Sequence, residues 1–220
     1  MHPILPPIIS SFAEVVITQP IDVIKTYAQL NQKIKSYNFQ TLYKGFIPRS
    51  IGNIPSRSTF LFTQDYLKQY IPNNRQSLII PIATGFAQTI IDTPVEVAKI
   101  NKIFNLKSIS IISYYNGFVP HCTRNIIFIG CVFNMKSYGE NFNTNTNTNI
   151  IVQTTFGAIG GVIGSYLSHP FDTIKTMIQT SSPNELVKVR DYFRGSHLRA
   201  GMGFINMFIS LTMFEFLKKY

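Results

Sequence analysis

Pro20-Ile21-Asp22-Val23-Ile24-Lys25, Pro94-Val95-Glu96-Val97-Ala98-Lys99 and Pro170-Phe171-Asp172-Thr173-Ile174-Lys175 are three versions of one pattern: a proline, an acid two residues later and a lysine five residues later. The prolines stand 74 and 76 residues apart. Composition alone predicts roughly 0.05 matches to this pattern in the chain, so three at near-equal spacing are a repeat. A second motif keeps the same phase. Tyr43-Lys44-Gly45, Tyr115-Asn116-Gly117 and Phe193-Arg194-Gly195 follow the prolines by 25, 23 and 25 residues. The chain therefore reads as one domain of three tandem units, at about 1–72, 73–146 and 147–220.

Working outward, each unit reads as two long helices. The first runs through the proline motif, at about 6–31, 77–104 and 150–180. The second follows the motif glycine, at about 47–70, 119–141 and 197–219. Each has about 22 residues or more, enough to cross a bilayer core of ~30 Å. Polar residues interrupt all six, as in helices that line a watery cavity. The fold class expected is an all-α membrane protein, six transmembrane helices with pseudo-threefold symmetry around a central cavity. Gly157, Gly160, Gly161 and Gly164 form two i, i+4 pairs for close helix approach, with Ala83 and Ala87 a weaker match. Asn143–Asn149, an Asn-Thr tract, reads as a solvated connector.

Composition agrees. Of 220 residues only 14% are charged and 45% are hydrophobic, with 18 Phe and 11 Tyr. So much apolar content excludes disorder. Two cysteines, Cys122 and Cys131, make neither a disulfide scaffold nor a zinc site, and no metal or cofactor is expected. No nucleophile–base pair or phosphate loop appears, so an enzyme is not expected. The net charge of +10 points to an anionic partner. Its basic residues are spread and carry no nucleic-acid signature, which leaves a membrane surface or an anionic solute. Met1-His2-Pro3 lacks the basic start of a secretory signal. Lysines and arginines concentrate in the loops inside each unit, which places those loops in the more negative compartment.

The tripled motifs resemble those of the mitochondrial carrier family over the whole chain. The family has three repeats of two transmembrane helices, each with Pro-x-acid-x-x-base and then aromatic-basic-Gly. This chain departs from it in its short intra-unit loops, in Asn116 where a base is usual, and in lacking the acid-Gly pair before the second motif. The resemblance implies a monomeric multi-pass carrier of the mitochondrial inner membrane. It would exchange a small anionic metabolite by alternating access, with anionic lipid such as cardiolipin bound at the helix starts marked by Lys44, Gly45, Gly117, Arg194 and Gly195. The Asn, Ile and Lys bias fits an AT-rich genome, and with the short loops is compatible with a compact virus-encoded member acting in host mitochondria.

The resemblance also implies two gates. Kinks at Pro20, Pro94 and Pro170 bring three helices toward the axis. Acid and lysine three apart share a helix face, so the family pattern pairs Asp22 with Lys99, Glu96 with Lys175 and Asp172 with Lys25. Gln29 and Gln179 are placed to brace this matrix-side ring. If each bridge is wet it nets about 0–1 kcal/mol. At the outer end, acid-x-x-base survives as Asp65 with Lys68 and Glu215 with Lys218. Only Glu215–Lys68 is expected as a bridge there, with Glu140 facing Asp65 at like charge.

Substrate contacts of the family fall seven and eight residues after each motif glycine: Gly52-Asn53, Arg124-Asn125 and Met202-Gly203. An intramembrane arginine marks a functional site by default, and the fork of Arg124 suits carboxylate or phosphate. Arg49, His121 and Arg199, four after each glycine, form a second cationic level. Arg124 beside a small polar residue resembles carriers of keto and carboxylic acids, whereas the extra basic level pulls toward phosphates, so nucleotide and carboxylate both stand. Arg57 reads as off the cavity face, snorkelling or paired with an acid. Glu14 reads as a proton-coupling group or the partner of a cavity arginine, and His169 as a satisfied kink residue. The competing function is a non-transporting scaffold or proton leak, favoured by the degraded outer lock of the second unit.

Overall fold

The computed structural model describes residues 5–34, 36–106, 112–140, 146–180 and 189–218. Six long helices and one short one account for nearly all of them. They are α1 (Leu5–Gln29), α2 (Phe39–Leu42), α3 (Phe46–Tyr70), α4 (Asn73–Phe104), α5 (Phe118–Glu140), α6 (Thr146–Thr180) and α7 (Ser196–Lys218). No strand occurs among the described residues. The six long helices match the expected pairs, two per unit. Inside the units α2 and the 3₁₀ turns Ile112–Tyr115 and Val189–Phe193 are the only elements between the paired helices among the described residues. One expectation changes. α6 begins at Thr146, inside the Asn-Thr tract, so part of that tract is helix rather than connector.

Each long helix packs on the next in sequence, and α7 returns to pack on α1. The result is a closed bundle. Pro20, Pro94 and Pro170 lie inside α1, α4 and α6. Proline has no N–H for the carbonyl four residues back, which frees Val16, Ile90 and Tyr166. The aromatic of the second motif reaches two of these. Tyr43 donates its hydroxyl to the Val16 carbonyl at 3.2 Å and Tyr115 to that of Ile90 at 3.5 Å. Phe193 has no hydroxyl to offer Tyr166 and stacks on His169 instead.

The glycine spacing on α6 serves two neighbours. A Cβ on Gly160 would sit 2.6 Å from the Cys131 carbonyl of α5, and one on Gly164 3.0 Å from Phe128 of the same helix. Gly157 and Gly161 face α7 at Leu211 and Gly203.

The interior is more polar than apolar: among the described residues 31 polar or charged side chains are buried against 17 hydrophobic ones. Meanwhile Phe12, Ile51, Leu78, Val119, Ile151 and Leu167 stand outward on the long helices, each more than half exposed. A water-soluble domain has the reverse distribution. Of the described helices, α4 alone is long and apolar enough to cross a membrane by length and composition. The polar inward faces lower the mean hydropathy of the others, which is why the expectation of six spans meets that test at one helix.

Candidate functional site

At the proline-motif end the three expected pairs form. Lys99 Nζ lies 2.8 Å from Asp22, Lys175 Nζ 2.8 Å from Glu96 and Lys25 Nζ 2.6 Å from Asp172. Each lysine thus crosses to the preceding unit, the first unit following the third. It also meets that unit's motif glycine. A Cβ on Gly45 would lie 2.9 Å from Lys99 Cγ, on Gly117 3.4 Å from Lys175 Cγ and on Gly195 3.6 Å from Lys25 Cγ. The three glycines have φ near +77°, a left-handed backbone that residues with a Cβ adopt at a penalty. That conformation starts α3, α5 and α7 and leaves a floor for the lysine stems.

The ring departs from the expected wet, equal bridges in two ways. It is dry: the side chains of Lys99, Lys175, Asp22 and Asp172 are 4%, 1%, 4% and 0% exposed. It is also unequal. Asp172 is a hub for Lys25, Lys175, Arg199 at 2.6 Å and Arg124 at 3.0 Å. Asp22 takes Lys99 and Arg49, the latter at 3.3 Å, with Lys25 at 3.9 Å. Among the described residues Glu96 takes Lys99 and Lys175 alone, and it keeps 22% exposure.

Of the two braces, Gln29 donates to Asp172 Oδ2 at 2.7 Å. Gln179 does not touch a bridge; its amide donates to the Asn116 carbonyl at 3.2 Å. That contact belongs to another set. The carbonyl before each motif glycine is held by a side chain: Lys44 O by Gln19 at 2.7 Å, Asn116 O by Gln179, and Arg194 O by His169 Nε2 at 2.8 Å. Thr93 is too short for the role that Gln19 and His169 play before their prolines. Arg194 pairs with Asp191 at 2.9 Å.

The cationic level four after the motif glycines also resolves differently from expectation. Arg49 bonds the Thr18 hydroxyl at 2.9 Å as well as Asp22, and Arg199 bonds the Ser168 hydroxyl at 2.9 Å as well as Asp172. Both guanidiniums therefore anchor the gate from their own units. His121 is fully buried, its Nδ1 3.1 Å from the Thr93 hydroxyl, and is not part of the cavity wall. The three do not make one anion site.

Beyond the ring lies a cavity of about 130 Å³. All three contact pairs line it: Gly52-Asn53, Arg124-Asn125 and Met202-Gly203. Arg124 enters it from α5, one guanidinium nitrogen on Asp172, while Asn125 Oδ1 accepts from its Nε at 3.1 Å and Nη2 at 2.7 Å. Asn125 is held in turn by its own donation to Thr89 at 3.0 Å. The glycines contribute by packing. A Cβ on Gly52 would collide with Val95 and one on Gly203 with Ser165.

Deeper in the cavity Arg57 grips Glu14 through two guanidinium nitrogens, and Ser210 donates to the same carboxylate at 2.8 Å. Arg57 is therefore on the cavity face, not off it, and Glu14 is the partner of a cavity arginine. Asp92, with Gln88 and Ser56 beside it, lies outside the motifs that mark the other site residues in the sequence. Gln88 and Asp92 share the face of α4 that continues from Glu96, a four-residue period that would have found both.

At the far end Lys68 pairs with Glu140 at 3.3 Å, both side chains about one-third exposed. Glu140, expected to face Asp65 at like charge, thus has a cation as partner. Asp65 is itself engaged. The Glu215–Lys68 pair and Lys218 fall on side chains outside the described residues. Among the described residues no cluster of His, Cys, Asp and Glu is arranged to hold a metal ion.

Residues 146–194 match the family model described as mitochondrial carrier protein. The chain is 25% identical over 214 aligned positions to a protein of Schizosaccharomyces pombe named as a probable mitochondrial 2-oxodicarboxylate carrier, covering 78% of this chain and 72% of that one. A mitochondrial citrate transporter of Aspergillus niger is 22% identical, with 79% and 73% covered. The mitochondrial aspartate-glutamate transporter of Saccharomyces cerevisiae is 25% identical over 74% of this chain, which spans 23% of that longer protein.

Proposed function

We propose that this chain, which is similar to mitochondrial carriers over most of its length, is a member of that family and exchanges a small dicarboxylate across the mitochondrial inner membrane by alternating access. The observation that carries this is the cavity: all three contact pairs wall it, and a ring of three inter-unit ion pairs closes one end. The inside-out distribution of polarity supports six spans, with apolar faces toward lipid and polar faces toward the cavity. Size and charge favour carboxylate over nucleotide. A volume of about 130 Å³ is below the roughly 300 Å³ at which pockets begin to hold drug-sized ligands. Seven Lys and Arg side chains at the ring and cavity wall face five carboxylates, and this excess of positive charge favours an anionic substrate. The named substrates of the relatives, 2-oxodicarboxylate, citrate and aspartate-glutamate, are all carboxylates.

Arg124 is the principal anion contact. Against the scaffold or proton-leak reading, Glu140 has a lysine partner at the outer end. In liposomes, Arg124→Ala should lower dicarboxylate exchange at least about thirtyfold, since truncating one partner of a desolvated charge pair costs about 2–5 kcal/mol. Arg124→Lys should fall between, because it keeps the charge and loses the fork. Asp172 retains Lys25 and Arg199, so Arg124→Ala should still fold. Unchanged exchange by Arg124→Ala would refute the assignment.

A further inference from the structure

A single carboxylate sets the second unit apart from the other two. Two residues before each proline stand Thr18, Asp92 and Ser168. In the first and third units this position is a hydroxyl bonded by that unit's arginine, Arg49 or Arg199. In the second unit both halves of the pair have changed: the arginine is His121, which turns to Thr93, and the hydroxyl is Asp92. Asp92 therefore lines the cavity with a negative charge and without the cation its position would otherwise have. Among the described residues no Lys, Arg or His nitrogen forms a salt bridge with it. Its neighbours are the Ser56 hydroxyl, with Arg124, Arg57 and Glu96 within electrostatic reach. Ser56 in turn accepts from Gln88 at 3.0 Å.

Resting on the carboxylate-carrier reading, we propose that Asp92 is the binding site for the protonated amine of the substrate, which makes an acidic amino acid the preferred cargo. An α-amino acid carries its carboxylate and ammonium on one carbon, so a site for it needs a cation and an anion close together. Arg124 and Asp92 are such a pair, facing the cavity from α5 and α4 within each other's field. An ammonium has three N–H donors and no acceptor, and a carboxylate supplies the matching acceptors. The Asn206 side chain, on the cavity wall at the Ser56 level of α7, adds a carbonyl oxygen that has no hydrogen-bond partner. A 2-oxo acid presents an oxygen where the amino acid presents its amine. An ionised carboxylate offers that oxygen no donor and repels it, so Asp92 selects against the oxo acid while Arg124 accepts either.

The test compares uptake of glutamate and of its 2-oxo counterpart by the full chain in liposomes, for the wild type and Asp92→Asn. The wild type should prefer glutamate. Asp92→Asn is isosteric and removes the charge; it should lower glutamate uptake at least tenfold and leave 2-oxo acid uptake unchanged or raised. His121→Arg restores to the second unit the arginine of the other two and should produce the same selective loss by neutralising Asp92. Thermal melting gives a second readout: glutamate should raise the melting temperature of the wild type and not of Asp92→Asn, whereas the 2-oxo acid should raise both. Equal loss of both substrates in Asp92→Asn, or loss of neither, overturns the amine site. Wild-type uptake of the 2-oxo acid alone overturns it too and leaves the carboxylate reading standing. Uptake of neither overturns both.

Discussion

A tyrosine hydroxyl that fills the gap left by a proline is the smallest working part of this molecule. Pro20 and Pro94 strip a partner from the Val16 and Ile90 carbonyls, and Tyr43 and Tyr115 supply one from the second motif. The recurrence of an aromatic 21 to 23 residues after each proline is visible in the sequence; the carbonyl it serves is not, because it is marked only by a proline four residues downstream. The third unit is the natural control, since Phe193 cannot donate. A net hydrogen bond is worth about 0.5–1.5 kcal/mol, and about 1 kcal/mol moves the melting temperature of a chain of this length by roughly 2–4 °C. Tyr43→Phe should lower the melting temperature by that amount, and Phe193→Tyr should raise it by up to as much. A Phe193→Tyr protein that melts lower, with its backbone unperturbed, would show that the carbonyl of Tyr166 needs no partner.

At the scale of an element, the starts of α3, α5 and α7 and the gate are one structure. The helix begins on a left-handed glycine whose bare Cα supports the lysine stem from the next unit, while that lysine's ammonium reaches the carboxylate of the unit that owns the glycine. Placing an alanine at such a position costs about 1–3 kcal/mol in backbone strain alone. The three sites differ in how tightly they hold the lysine, so Gly45→Ala, 2.9 Å from Lys99 Cγ, should lose more stability than Gly195→Ala, 3.6 Å from Lys25 Cγ. Denaturation of the two variants side by side measures this, and an equal or reversed order would remove the lysine from the explanation. The helix pairs and the three bridges were legible because their signal is repeated three times. The ties of Arg49, Arg124 and Arg199 to gate acids were not. Spacing from a motif places a side chain on a level of the bundle, but whether a long arginine there points into open space or back to an acid depends on packing between units. Asp92 escaped for the opposite reason: a reading built on what the units share passes over the position where one of them differs.

For the molecule as a whole, the ion pairs of the described residues close the two ends of the cavity unequally. The ring is buried, and removing one member of a buried ion pair costs about 3–5 kcal/mol, several times the wet-bridge value the sequence suggests. The far end has the Lys68–Glu140 contact at 3.3 Å, about one-third exposed, where an ion pair nets about 0–1 kcal/mol. With Cys122 and Cys131 replaced by serine, a reporter Asn53→Cys on the cavity wall should be labelled mainly from the far side. Lys99→Ala should raise its labelling from the ring side. Glu140→Lys sets like charge against Lys68 and should raise labelling from the far side; lower labelling there would mean that the Lys68–Glu140 pair is no lock. The lysines that cross from unit to unit have one more consequence. Each unit carries a plug on one side and a socket on the other, the head-to-tail kind of interface that either propagates without end or closes by rotation. Here three copies complete the circle, Lys25 of the first seated in the third. A lone unit would expose both a bare plug and an empty socket, and two units would still leave one of each. Folding of the bundle should therefore be cooperative across its full circumference, so that a lesion confined to one seat should loosen the other two.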